Sequence, residues 1–85
     1  MNGIAIEPMK ALGDALEVAF PGTKYNVDSL PRMRIAGDMV IVKVYANLES
    51  LDFQERRHKV FTLLRASGMG ALCDRLSISQ YRQGG

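Results

Sequence analysis

Met39-Val40-Ile41-Val42-Lys43-Val44-Tyr45-Ala46 is the stretch whose reading decides the fold. Its β-branched residues and nearly uncharged interior predict a central strand with one face turned toward helices. Upstream, Ser29 to Asp38 combines Pro31, Gly37 and the arginines Arg32 and Arg34, which predicts a mobile loop between strands. Before that loop, Thr23-Lys24-Tyr25-Asn26-Val27-Asp28 places β-prone residues near alternate positions and predicts a short strand. Further back, Ile6, Met9, Leu12, Leu16 and Phe20 recur at steps of three and four. That spacing predicts an amphipathic helix from about residue 6 to about residue 20, ended by Pro21-Gly22. Pro8 fits only in the first turn, where its missing N–H has no helical partner to lose, so the helix proper is expected to begin near it.

Downstream of the central strand, Asn47 to Leu51 reads as a polar linker, and Asp52 is the expected N-cap of a second long helix. Its inward positions are Phe53, Val60, Phe61 and Leu64, and it should stop before Gly68. Gly68-Met69-Gly70 breaks the chain, Ala71-Leu72-Cys73-Asp74 is long enough for one helical turn, and Leu76 to Tyr81 alternates as a last strand. The order α-β-β-α-α-β predicts an α+β fold: a three-stranded sheet with helices on one face. With 85 residues there is room for one modest core. Residues 1–85 are therefore read as one domain, with 82–85 as a flexible tail.

Function in so small a domain must sit on a surface or in a shallow groove. A 47% hydrophobic and 24% charged composition is that of a globular protein rather than a disordered tail. A net charge of +2 permits contact with nucleic acid or an acidic partner without requiring either. No apolar run approaches the roughly 20 residues that span a bilayer, and the first residues do not resemble a secretion signal. Together with a single cysteine, Cys73, these features predict a cytoplasmic protein with no membrane contact. Neither a nucleophile–base pair, nor paired carboxylates, nor a phosphate-cradling glycine loop is visible, so a non-enzymatic role is expected. The terminal Gly84-Gly85 matches the tail of sulfur carriers and ubiquitin-like modifiers, but those begin with a hairpin and this chain begins with a helix.

His58 is the only histidine. On a helical wheel it falls roughly 140° from the centre of the face carrying Phe53 and Leu64, whereas Arg57 falls about 40° from it. His58 is thus expected in solvent, and Arg57 is expected to run its stem along the core edge and pair with a carboxylate or with backbone carbonyls. Arg56, Arg57, Lys59 and Arg65 share this helix. With Arg32 and Arg34 of the loop they form a candidate nucleic-acid surface, because phosphate contacts need cations gathered on one face.

Arg57-His58-Lys59-Val60-Phe61 resembles the Arg-His motif opening the main helix of BolA-like proteins, and Leu76-Ser77-Ile78 resembles that family's final Leu-Ser-Ile strand. The resemblance is clearest over residues 38–80 and extends to the element order. It implies a fold related to the type II KH domain and a regulatory, stress-related role. It further implies partnership with a monothiol glutaredoxin and a [2Fe–2S] cluster shared with it, the chain holding no cofactor alone. On this reading Arg57, His58, Cys73 and Asp74 face the partner. The family's cluster ligand is a histidine at the position of Asp74, and a second ligand, cysteine or histidine, belongs in a loop where residues 29–38 offer neither. Carboxylate is a harder and rarer partner for iron than thiolate or imidazole, so Cys73 and Asp74 are the metal-ligand candidates by position rather than by suitability. Cys73 in an Ala-Leu-Cys context reads more readily as a small buried hydrophobe than as a ligand. The alternative is a KH-like nucleic-acid-binding or transcriptional regulatory protein contacting DNA or RNA. Against it, Gly68-Met69-Gly70 is one residue short of the Gly-x-x-Gly loop that grips a nucleotide backbone.

Overall fold

The computed structural model describes residues 6–31 and 38–82. Its elements run α1 (Ile6–Ala19), β1 (Lys24–Pro31), β2 (Asp38–Tyr45), α2 (Ser50–Ala66), α3 (Gly70–Cys73) and β3 (Leu76–Tyr81). The strands form one mixed sheet in the order β1-β2-β3, with β1 antiparallel and β3 parallel to β2. The α+β reading with a three-stranded sheet and helices is therefore correct.

Alternation along β2 sets the layers. Val40, Val42 and Val44 are wholly buried, whereas Ile41, Lys43 and Tyr45 between them are only partly so. A strand whose side chains alternate in this way has one face on the core and one on water. Leu76 and Ile78 of β3 join the buried set, and Tyr25 and Val27 of β1 pack against it. From the helical side come Leu12, Leu16 and Phe20, then Phe53, Val60, Leu64 and Leu72. All three helices thus meet the same face of the sheet. The rings of Phe20 and Phe53, 5.6 Å apart and tilted by 43°, lock the end of α1 to the start of α2.

Glycine ends both long helices where the backbone must turn left. Phe20-Pro21-Gly22-Thr23 closes through Thr23 N–H donating to the Phe20 carbonyl at 3.3 Å, with Gly22 at φ 71°, the arrangement that a type II turn needs of its third residue. Gly68 at φ 80° follows α2. There Met69 N–H reaches the Leu64 carbonyl at 2.8 Å and Gly68 N–H the Arg65 carbonyl at 3.1 Å, the paired bonds of a Schellman motif.

The boundaries of β1 and α2 differ from the sequence reading. Strand β1 continues to Pro31, beyond Asp28, because Ser29, Leu30 and Pro31 find register partners in Val40, Met39 and Asp38. Proline is tolerated there because β1 is an edge strand and Pro31 its last residue. Helix α2 begins at Ser50 with Glu49 as its N-cap, so Asp52 lies inside the first turn and is not the cap. Its carboxylate instead accepts from Arg56 Nε at 3.2 Å, a spacing of four that suits both the helix and its dipole. Helix α1, by contrast, begins at Ile6 as its spacing predicts, which puts Pro8 in the first turn, as its lack of an N–H requires.

Two outcomes test this packing. Leu64→Ala should lower unfolding free energy by about 2–5 kcal/mol in chemical denaturation, because Leu64 is fully enclosed. The second concerns Tyr25, whose phenol is pushed above its ordinary value, first by burial and then by the Glu17 carboxylate. A raised acid pKa in the fold means that the unfolded chain loses its proton first on alkaline titration. Stability from this group is complete below the unfolded pKa of about 10 and is lost as pH rises through the folded value. Tyr25→Phe should flatten the fall in denaturation midpoint above about pH 10.

Candidate functional site

Helix α2 is built to carry two unlike faces. Phe53, Val60 and Leu64 take the buried one, and Gln54, Glu55, His58, Lys59, Thr62 and Arg65 lie exposed on the others. Arg57 falls at the seam and is half-buried. Its guanidinium lies 5.8 Å from the centre of the Phe61 ring, one turn on. The expected partner, a carboxylate or a carbonyl, is thus replaced by an aromatic face, which receives the planar cation while the stem covers the core edge. His58 is exposed, as its wheel position predicts, and its carbonyl accepts from Thr62 Oγ1 at 3.1 Å.

Phe61 also joins α2 to α3. The Cys73 thiol points back at it and donates to the Phe61 carbonyl at 3.7 Å, within the range for a weak sulfur donor. Cys73 is half-buried and packed against the core cluster. Asp74, the C-cap of α3, is exposed. Arg57 and Cys73 therefore meet at Phe61, one on its ring and the other on its carbonyl, while His58 and Asp74 are exposed on their respective helices.

As iron ligands these residues fit poorly. The Cys73 sulfur is engaged with a helix carbonyl and faces inward, and the group that does face solvent, Asp74, offers hard oxygen donors. Among the described residues no three His, Cys, Asp or Glu side chains converge as a metal site. The residues present are a stacked arginine, an exposed imidazole and an exposed carboxylate, a set that does not fit an iron–sulfur cluster.

The helix-borne cations do not gather. Arg56 is held by Asp52 in the only ion pair among the described residues, while Lys59 and Arg65 are exposed on the helix without such an anchor. Arg32 and Arg34 lie outside the described residues. Nor do the concavities coincide with the residues singled out from sequence. A cleft of about 340 Å³ between α1 and the end of α2 is walled by Ala11, Ala15, Val18, Leu63 and Met69. A second, of about 460 Å³, lies beside Leu48, Leu51 and Glu55. Neither is lined by Arg57, His58, Cys73 or Asp74.

Sequence reasoning overlooked the outer face of the sheet. There the register aligns Lys24, Tyr45 and Tyr81 in one row across all three strands. Alternation alone places Tyr45 opposite the buried valines, but only the register reveals that Tyr81, 36 positions later, stands beside it.

The inward-facing thiol makes a checkable statement. Alkylation of Cys73 should be many-fold slower in the folded protein than in denaturant, because the half-buried sulfur is packed against the core and engaged with the Phe61 carbonyl. A fast native reaction would mean that the thiol is turned outward.

Comparison of the chain with protein-family models, with curated proteins and with solved structures gives no match in any of the three.

Proposed function

We propose that this chain is a non-enzymatic, BolA-like binding module that regulates by docking on a protein partner through the surface of α2 and α3. The observation that carries the reading is the junction at Phe61. Its ring meets Arg57 and its carbonyl meets Cys73, so the Arg-His segment and the turn that leads into the Leu-Ser-Ile strand touch at one residue, although Arg57 and Cys73 are 16 positions apart. The element order and the mixed sheet agree with the type II KH-like arrangement that the resemblance implies. A monothiol glutaredoxin is the partner class to which that resemblance points.

The donor chemistry shapes the proposal further. With an inward thiol and a carboxylate where the family has histidine, association rests on the protein surfaces and does not need a shared [2Fe–2S] cluster. Arg57 is pre-positioned by its stack on Phe61, which lowers the side-chain entropy lost on docking. His58 and Asp74, being exposed, form polar contacts at the rim.

Titration of the protein with a monothiol glutaredoxin, apo and cluster-loaded, tests this. A heterodimer should form with either form of the partner. His58→Ala and Asp74→Ala should weaken it, and Cys73→Ala should leave it unchanged. Association only with the loaded partner, abolished by Cys73→Ala, would restore cluster sharing, and no association at high micromolar concentration would remove this partner class.

A further inference from the structure

The outer face of the sheet is turned away from all three helices, yet it is not the evenly polar surface that solvation alone would require. Tyr45 and Tyr81 stand side by side on β2 and β3, their ring centroids 5.8 Å apart and tilted by 49°. Tyr81 is 43% exposed. Lys24 completes their row on β1, and the next row holds Asn26, Lys43 and Ser79. Lys43 Nζ lies 5.5 Å from the centre of the Tyr81 ring, and Asn26 Nδ2 donates to the Tyr45 hydroxyl at 3.2 Å.

Each part of this arrangement matches one component of a single ligand class. Paired aromatic rings on an open sheet offer stacking surface to flat, unpaired bases, and flanking lysines offer charge to the phosphates between them. We propose that Tyr45 and Tyr81, with Lys24 and Lys43, form a platform for single-stranded nucleic acid. Successive bases stack on the two rings, and the lysines meet the backbone on either side.

The geometry sets the details. A ring separation of 5.8 Å exceeds the roughly 3.4 Å rise of a stacked strand, so bases seated on both rings are drawn apart from each other, as in an unpaired strand. A duplex conceals its base faces and is not suited to a sheet of this kind. When a base covers Tyr81, the Lys43 ammonium leaves the ring, and its flexible stem carries it to the adjacent phosphate. Asp28 lies on the same face, in the row of Ile41 and Ser77. Its charge opposes phosphate there, which directs the strand over the tyrosine row. This surface is opposite the helices and owes nothing to the cations of α2.

The chain has three tyrosines and no tryptophan, and Tyr25 is on the inner face, so intrinsic fluorescence reports mainly on the platform. Fluorescein-labelled ten-nucleotide oligo-dT and oligo-rU are titrated with the full chain at several salt concentrations, reading probe anisotropy and, with unlabelled strands, tyrosine quenching. Binding should quench the tyrosines and weaken with salt. Tyr81→Leu and Tyr45→Leu should each weaken it by roughly 5- to 150-fold. Lys24→Ala and Lys43→Ala should each lower the slope of log K against log salt by about 0.7. Lys59→Ala with Arg65→Ala should have no effect. Circular dichroism verifies folding, and if Tyr45→Leu fails to fold, Tyr81→Leu and the lysine variants decide. Any of four results would overturn the proposal: no binding at high micromolar concentration; binding lost with Lys59 and Arg65 but not with the tyrosines; polyglutamate competing as well as the oligonucleotide; or self-association through this face with no oligonucleotide bound.

Discussion

Strand β2 alone is hydrogen-bonded on both edges, and the parity of its side chains governs everything around it. Val40, Val42 and Val44 must face inward together, because a slip of one residue would exchange them for Ile41, Lys43 and Tyr45 and bury a lysine in the core. Once that parity is fixed, the neighbouring strands inherit it through the register. Val27 opposite Val42 and Ile78 opposite Val42 follow the inward set. Lys24, Asn26, Ser77, Ser79 and Tyr81 follow the outward one. The hydrophobic requirement of three valines thus decides which polar and aromatic residues meet on the far side.

The parallel pairing of β2 with β3 imposes a second constraint. Parallel neighbours need a crossover, and here α2 and α3 supply it while covering the valine face. Gly68 permits the reversal after α2, and Gln80 ties the first part of the crossover down: its side-chain oxygen accepts from Leu48 N–H at 3.0 Å, and its nitrogen donates to the Leu48 carbonyl at 3.1 Å. Those two bonds pin the linker before α2 to the strand that follows α3. The position of Arg57 relative to Cys73 is a consequence of that closed path, and Phe61 fills the space between them.

Periodic elements were legible in the sequence because their signal is local. The steps of Leu12, Leu16 and Phe20 and the β-branched run through Val44 each carry their own face, and the core agrees with them residue by residue. What escaped was whatever depends on a partner distant in sequence. Ser29-Leu30-Pro31 reads as loop by composition, yet pairs with the start of β2. Around the beginning of α2 the composition points to Asp52 as the cap, whereas the helix starts three residues earlier, where the Glu49 carbonyl accepts from Phe53 N–H at 2.9 Å without any side-chain cap. Arg57 was correctly set at the core edge, but its aromatic companion one turn away was not named. The candidate contact residues were each visible as motifs, whereas the adjacency of Tyr45 and Tyr81 required the register.

Placing all helices on one face leaves the other sheet face to manage water by its own side chains. A purely solvated face would do so with residues such as threonine, which combines strand propensity with a hydroxyl and little apolar surface. Tyrosine at two neighbouring positions is a different solution, since its hydroxyl tolerates solvent while its ring keeps affinity for flat apolar surfaces. Asn26 bonds the Tyr45 hydroxyl and Lys43 lies over the Tyr81 ring, so both rings are already contacted within the fold itself. The helical face has the same property, with Arg57 already stacked. Because the fully buried valine layer lies between the two surfaces, each is fixed by the same core rather than by the other. The contacts that hold Arg57, Phe61 and Cys73 together share no residue with those that hold Tyr45 and Tyr81.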